Sequence, residues 1–302
     1  MPIISAAWAE ALDPIIRSWF EQGISRRPSM IPALFNVQGS MNSDEQIGSI
    51  GAIGVDAWDD YKNSGKVAKV DFNKGYIKTY THEEYVVELD IQRKFLEDNK
   101  YAQITGAADR LGSSAALKRE YDAASVFNRA FNSSYTGADA VSLCSTSHPF
   151  SPSATGTVQS NKDTLPLTKD NVKTVRERMM AFTDDRNQKI AVTPNMLIVP
   201  PQLEDSALVI ANSLLDPSSA NNAINPQNGR FQVATWHYLT DSNNWFMADS
   251  TMMKQSLDWF NRVPLQINPK VQDNTLFATW IAYQRYSFGW SDWRFVYGNE
   301  VA

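Results

Sequence analysis

The chain has 302 residues, a net charge of −5 and 43% hydrophobic residues. That is enough apolar material for a sizeable core, which excludes wholesale disorder. The acidity excludes a bulk electrostatic nucleic-acid binder, which must be basic to replace phosphate counterions, and the single cysteine, Cys144, excludes an intrachain disulfide or a thiolate zinc site.

Ala7, Trp8, Ala11, Leu12, Ile15, Ile16, Trp19 and Phe20 recur at helical spacing. They predict an amphipathic helix from Ala6 to Gln22, kinked or interrupted at Pro14 and stopped at Gly23. From Val37 to Gly75 glycines are frequent and no core periodicity persists. Two short strand-like runs, Lys66–Phe72 and Tyr76–Tyr80, flank Asn73-Lys74-Gly75, a hairpin-turn sequence. A ribbon this polar is poorly stabilised alone and needs a surface to lie on.

Tyr85 to Leu89 reads as a further strand. Tyr101 to Phe131 carries the longest apolar stripe, a helix of about 45 Å at 1.5 Å per residue, weakened at Gly106 and Gly112. Asn132 to Thr168 is loop-like. A helix opens at Thr168 and runs through Phe182, and Met196-Leu197-Ile198-Val199 forms a buried strand stopped by Pro200-Pro201. Pro201 suits the first turn of a helix through Leu214. A polar loop from Asp216 to Gly229 precedes strands at Phe231–Tyr238, Asn244–Ala248, Thr275–Tyr286 and Trp293–Tyr297. The fold class this implies is α+β.

No apolar run approaches the roughly 18 residues of a membrane span, and Met1-Pro2-Ile3-Ile4 lacks the start of a signal peptide. The expected compartment is the cytoplasm, unless the protein leaves within a larger assembly. Cys144 and His148 lie four apart, a pattern compatible with a nucleophile and base, but no strand–turn–helix elbow frames the cysteine. A small buried hydrophobe beside a loop histidine is the simpler reading. His82 and His237 lack metal-ligand spacing, and no Walker, dinucleotide or metalloprotease motif occurs. No catalytic, cofactor or metal site is expected, and the chain is not expected to be an enzyme.

The charge pattern is more informative. Lys62, Lys66, Lys69, Lys74 and Lys78 fall on the ribbon, and Glu83, Glu84, Glu88, Glu97 and Asp98 follow it. A solvated face is the ordinary explanation. A second reading is a head-to-tail contact, in which the basic ribbon of one copy lies on the acidic segment of the next; nucleic-acid binding by the lysines is a third, weakened by the lack of arginine there and by the acidic surroundings.

Several runs resemble tailed-bacteriophage major head proteins of the Mu-type family. They are Ile91-Gln92-Arg93-Lys94-Phe95-Leu96-Glu97-Asp98, Phe127-Asn128-Arg129-Ala130-Phe131, Leu143-Cys144-Ser145-Thr146-Ser147-His148-Pro149, Leu197-Ile198-Val199-Pro200-Pro201 leading into Leu203-Glu204-Asp205-Ser206-Ala207, Tyr238-Leu239-Thr240-Asp241 with Trp245-Phe246, and Gly289-Trp290-Ser291-Asp292-Trp293-Arg294-Phe295-Val296-Tyr297-Gly298. The resemblance implies the Hong Kong 97 phage capsid fold. Its expected parts are an N-terminal arm and helix (1–45), an extended β-hairpin loop (46–84) and a peripheral domain with a spine helix (85–136). An axial domain (137–248) and C-terminal strands returning to both domains (249–302) complete it.

The implied function is a major capsid protein of a tailed double-stranded DNA phage, forming the pentamers and hexamers of an icosahedral virion capsid assembled in the host bacterial cytoplasm. The implied partners are further copies of the chain, a portal protein, a decoration protein where one is used, and packaged DNA held by weak non-specific contact. Family members often carry a cleaved N-terminal scaffolding segment, and too few residues precede the ribbon for one, so a separate scaffolding protein or none is expected. No Lys–Asn crosslinking site can be matched. An encapsulin-like compartment shell and a cytosolic Cys/His hydrolase are the alternatives.

Overall fold

A computed structural model describes residues 5–50, 58, 61–65, 67, 74–152, 158–215, 224–270 and 277–301. In chain order the helices are α1 (Ser5–Ser25), α2 (Ile31–Leu34), α3 (Tyr61–Ser64), α4 (Arg93–Glu97), α5 (Tyr101–Asn128), α6 (Lys169–Met179), α7 (Glu204–Asn212) and α8 (Ser250–Ser256). The strands are β1 (Asn36–Gly39), β2 (Asp44–Ile50), β3 (Lys74–Thr81), β4 (Glu83–Gln92), β5 (His148–Pro149), β6 (Val158–Gln159), β7 (Lys162–Asp163), β8 (Met196–Val199), β9 (Gln232–Thr235), β10 (Trp245–Ala248), β11 (Leu257–Lys270), β12 (Phe277–Trp290) and β13 (Val296–Asn299).

Two sheets carry the molecule. One has the order β1-β11-β12-β4, and the other β7-β13-β10-β8-β9. Smaller pairs join β2 to β3 and β5 to β6. The apolar interior falls into two clusters. The smaller sets Leu12, Ile16 and Phe20 of α1 against Ile104, Ala108 and Leu111 of α5 and against Ile267 and Trp280 of the four-stranded sheet. The larger gathers the C-terminal half of α5 (Ala123, Ala124, Phe127), the inner strands β8 and β10, and the helices α6 and α7. Helix α5 and strands β11 and β12 run through both clusters and weld them together.

Helix α5 is continuous through both of its glycines: a Cβ on Gly106 would meet nothing within 4 Å, whereas Gly112 sits at a close contact. A Cβ on Gly112 would lie 2.1 Å from the Phe20 carbonyl oxygen, and one on Gly23 would lie 2.1 Å from the Asp109 carbonyl oxygen. These glycines are the contact points at which α1 and α5 cross backbone to backbone. Gly23 therefore lies inside α1, which ends at Ser25, and does not stop it. Pro14 also lies within α1 without ending it. The lost hydrogen bond is offset by the buried face of Leu12, Ile16 and Phe20.

Other expectations hold with shifted ends. Helix α6 starts where Thr168 Oγ1 accepts from Asn171 N at 3.3 Å. Strand β8 is buried at all four positions. The helix expected from Pro201 begins as a 3-10 turn, and α7 stops at Asn212, leaving Leu214 76% exposed and outside the core. Strand β11 and helix α8 were not expected. Pro264 and Pro269 disguise β11; Pro264 falls where the register against β12 shifts, between Asn261 and Gln266, and Pro269 lies in register with Trp280 one residue from the strand end.

Candidate interaction surface

The ribbon is built from β2 and β3, paired antiparallel from Asp44↔Thr81 to Ile50↔Lys74. Tyr76–Tyr80 thus takes Asp44–Ile50 as its partner. The run Lys66–Phe72, expected to pair with it, lies outside the described residues apart from Val67. Alternate residues of β3 share a face, and here that face is fastened to the body. Lys78 Nζ donates to the Thr136 carbonyl at 2.7 Å and stands 5.8 Å from the Trp290 ring centroid. Tyr80 donates to Asp258 at 3.1 Å. Two residues on, buried His82 sits 2.9 Å from both the Ser40 and Ser287 hydroxyls.

Desolvation governs the electrostatics of this root. It raises Asp258, which also accepts from Asn36 Nδ2 at 3.4 Å, above the ordinary carboxylate value. It pushes Tyr80 up, aided by the charge of Asp258. It lowers Lys78, partly opposed by Asp139. It lowers His82, with Arg285 adding to the effect. The ribbon is therefore anchored through polar groups that are costly to leave unpaired.

The ten residues singled out by charge are distributed as follows. Lys62 is exposed, and Lys66 and Lys69 lie outside the described residues. Lys74 opens β3, and Lys78 is committed to the ribbon root. On the acidic side each carboxylate meets a group of its own subunit. Glu83 accepts from Tyr85 (2.5 Å), Glu84 faces Arg285 (3.6 Å) and Glu88 faces Lys270 (3.1 Å). Glu97 pairs with Arg93 (2.9 Å) and Asp98 with Lys100 (3.6 Å). Exposed pairs of this kind contribute about 0–1 kcal/mol each, so a neighbouring cation can replace the partner at little cost.

Beside the acidic strand runs a groove of about 430 Å³ between α5 and the four-stranded sheet, which charge reasoning did not reveal. Leu111, Ala115, Leu265 and Ala282 give it apolar walls, and Val86 and Val87 stand at its edge, 55% and 53% exposed. Strand β4 is the outer strand of its sheet. No local sequence pattern marks this site, because its lining comes from α5, β4, β11 and β12.

The Cys144/His148 pair does not form a catalytic couple. Cys144 is fully buried, and desolvation pushes its thiol far up, whereas a nucleophilic cysteine needs a lowered value. Both ring nitrogens of His148 are engaged, Nδ1 with Asp139 (2.6 Å) and Nε2 with Asn161 Oδ1 (3.0 Å), and its ring stacks on Trp293 at 4.2 Å. Asn161 is the hub of this loop. Its Nδ2 donates to the carbonyls of Leu143 and Val296, and its Oδ1 accepts from Ser145 N. Among the described residues no cluster of three His, Cys, Asp or Glu side chains is arranged to hold a metal ion, and no helix is long and apolar enough to cross a membrane.

Comparison with known proteins places this architecture. The sequence model of a family described as phage capsid protein matches residues 76–299. No curated protein matches the chain in sequence. Among solved structures, the virus-like particle from Pyrococcus furiosus is similar with a TM-score of 0.56 and 12% identity, over 95% of this chain and 98% of that one. The mature capsid of bacteriophage PhiM1 gives 0.57 and 11%, over 91% and 88%. The procapsid of bacteriophage JBD30 gives 0.54 and 12%, over 100% and 76%. At these identities the likeness is one of fold.

Proposed function

The chain belongs to the phage capsid protein family, and from that premise we propose that it is the major capsid protein of a tailed double-stranded DNA phage, building the pentamers and hexamers of an icosahedral head. The observation that carries this reading is the family match, which spans 76–299 and so covers both sheets apart from β1. The closer likeness to Mu-type head subunits belongs to the same proposal.

In this reading β2, β3 and the residues between them are the extended loop of the Hong Kong 97 phage capsid fold, and α5 is the spine helix of a peripheral domain. The five-stranded sheet with α6 and α7 is the axial domain. The fastened ribbon root supports this assignment, because a lever that reaches a neighbour must be rigid where it leaves its own subunit. The protein acts by packing and pairing. Apolar burial between copies, at about 25 cal/mol per Å², drives association. Lysine–carboxylate pairs set register more than affinity, and many weak contacts multiply through a closed shell. Portal, scaffolding and decoration proteins and loosely held DNA are the further partners, and the virion is the destination.

The test is a charge reversal on the ribbon. Lys66, Lys69 and Lys74 changed together to Glu are expected to leave a folded subunit that forms no shells in electron micrographs. Normal particles from that variant would refute ribbon docking. The similarity to a virus-like particle supports one second reading, a compartment shell of the encapsulin type. Genes for a portal and a DNA-packaging motor beside this one favour the phage head, and a neighbouring cargo enzyme favours the compartment.

A further inference from the structure

The groove between α5 and the sheet has a specific chemical demand. Leu111, Ala115, Leu265 and Ala282 share its lining with Ser114, Lys118 and Glu84, and Gln284, 4% exposed, lines it with an Oε1 that has no hydrogen-bond partner among the described residues. A buried acceptor left unpaired costs free energy, and a native structure retains such a group where something else satisfies it. The group that fits must therefore be apolar and must bring one donor. Glu84, which faces Arg285, and Lys118, which pairs with Asp122, balance each other in charge, so the apolar area and the orphan acceptor set the demand.

The ribbon displays a side chain of that kind. Trp58 is 84% exposed, an unusual cost for so large an apolar group. Indole is an apolar body with a single N–H donor and no acceptor. Among the described residues of this region, the other strongly exposed apolar side chains, Met41 at 91% and Val67 at 81%, have no donor and would leave Gln284 unpaired. Tryptophan is also the residue type most enriched among interface hot spots.

We propose that the Trp58 indole of one copy seats in the α5–β4 groove of a second copy, its Nε1–H donating to Gln284 Oε1. This rests on the reading of the chain as a self-assembling shell subunit, and it names the anchor that the charge pattern alone does not. The lysines and carboxylates then flank a central apolar contact instead of carrying it.

The experiment compares the critical concentration for shell formation, by light scattering, for the full-length protein and its Trp58→Ala, Trp58→Phe, Gln284→Leu and Trp58→Phe/Gln284→Leu variants. Trp58 is exposed, so its variants keep a folded subunit, checked by circular dichroism. Loss of a hot-spot side chain corresponds to about 30-fold or more, so Trp58→Ala is expected to raise the critical concentration at least that far. Trp58→Phe and Gln284→Leu are each expected to raise it about 10-fold, and the double variant no further than either alone, because both remove one shared hydrogen bond. Should Trp58→Ala assemble like the wild type, the anchor is overturned while the shell reading stands. Should Trp58→Ala fail but Gln284→Leu assemble normally, the indole seats elsewhere and the groove assignment is overturned. A wild-type protein that forms no shells removes the shell reading and the proposal together.

Discussion

Replacing Gly112 by Ala puts the helix crossing to a direct test. In an ordinary helix the change stabilises by about 1 kcal/mol, because alanine loses less backbone entropy. Here the new Cβ would lie 2.1 Å from the Phe20 carbonyl oxygen and 3.2 Å from Ile24 N, and backbone atoms cannot rotate away. Ordinary contact begins near 3.4 Å, so α1 and α5 must separate by about 1 Å. A radial gap of 0.5–1 Å forfeits roughly a quarter to a half of the dispersion energy along the seam. That seam holds Ile16, Phe20 and Ala108, all essentially inaccessible to solvent.

Overpacking of this kind costs about 1–3 kcal/mol beyond the propensity gain. Gly106 lies on the same helix and a Cβ there meets nothing within 4 Å, so Gly106→Ala should keep the full gain of about 1 kcal/mol. The two substitutions are chemically identical and should differ in sign. Urea unfolding of unassembled subunits measures this as opposite shifts of the midpoint at constant slope. A Gly112→Ala subunit as stable as Gly106→Ala would refute the backbone-to-backbone crossing.

Three further outcomes follow from buried polar groups. Asn161→Ala removes four side-chain hydrogen bonds at a fully buried hub. At about 1–3 kcal/mol for each partner left unpaired, it should destabilise the subunit by more than about 3 kcal/mol, read from its urea midpoint; a loss under 1 kcal/mol would contradict the hub. His82 is held below the ordinary histidine value of 6.5, chiefly by desolvation. The unfolded chain therefore binds the extra proton first, so the contribution of His82 is complete above pH 6.5 and is lost as pH falls through the lower folded value. Urea midpoints between pH 7.5 and 5 should fall with acidification, and His82→Gln should flatten that dependence. Cys144 should resist iodoacetamide in the folded subunit and react on unfolding, followed by mass spectrometry.

Periodicity reveals the elements whose burial is one-sided and local. The stripe of α5, the Thr168 cap of α6 and the four apolar residues of β8 are each readable within a few turns of chain. Glycine was ambiguous. Gly23 and Gly112 read as a stop and a weak point, but they are close-approach sites, and only the partner helix distinguishes the two uses. Strand β11 was hidden because two prolines argue against a strand, and neither the register shift around Pro264 nor the near-terminal place of Pro269 is visible locally. The ribbon was visible as a change of composition, yet its pairing was not, since β2 is polar and its register is set by β3.

The charged residues were found by pattern, but charge does not say which cations are spent inside the subunit. Lys78 proved to be one of these, through Thr136. The groove and the orphan acceptor of Gln284 arise from elements far apart in sequence, so no local pattern announces them.

In the proposed function, copies of this chain close into a shell. Negative-stain electron microscopy of the purified full-length protein, expressed alone and together with its neighbouring genes, tests it most directly. Closed particles of uniform diameter built from pentamers and hexamers are expected. Dispersed single subunits in both preparations, folded by circular dichroism but never assembled at any concentration, would contradict it.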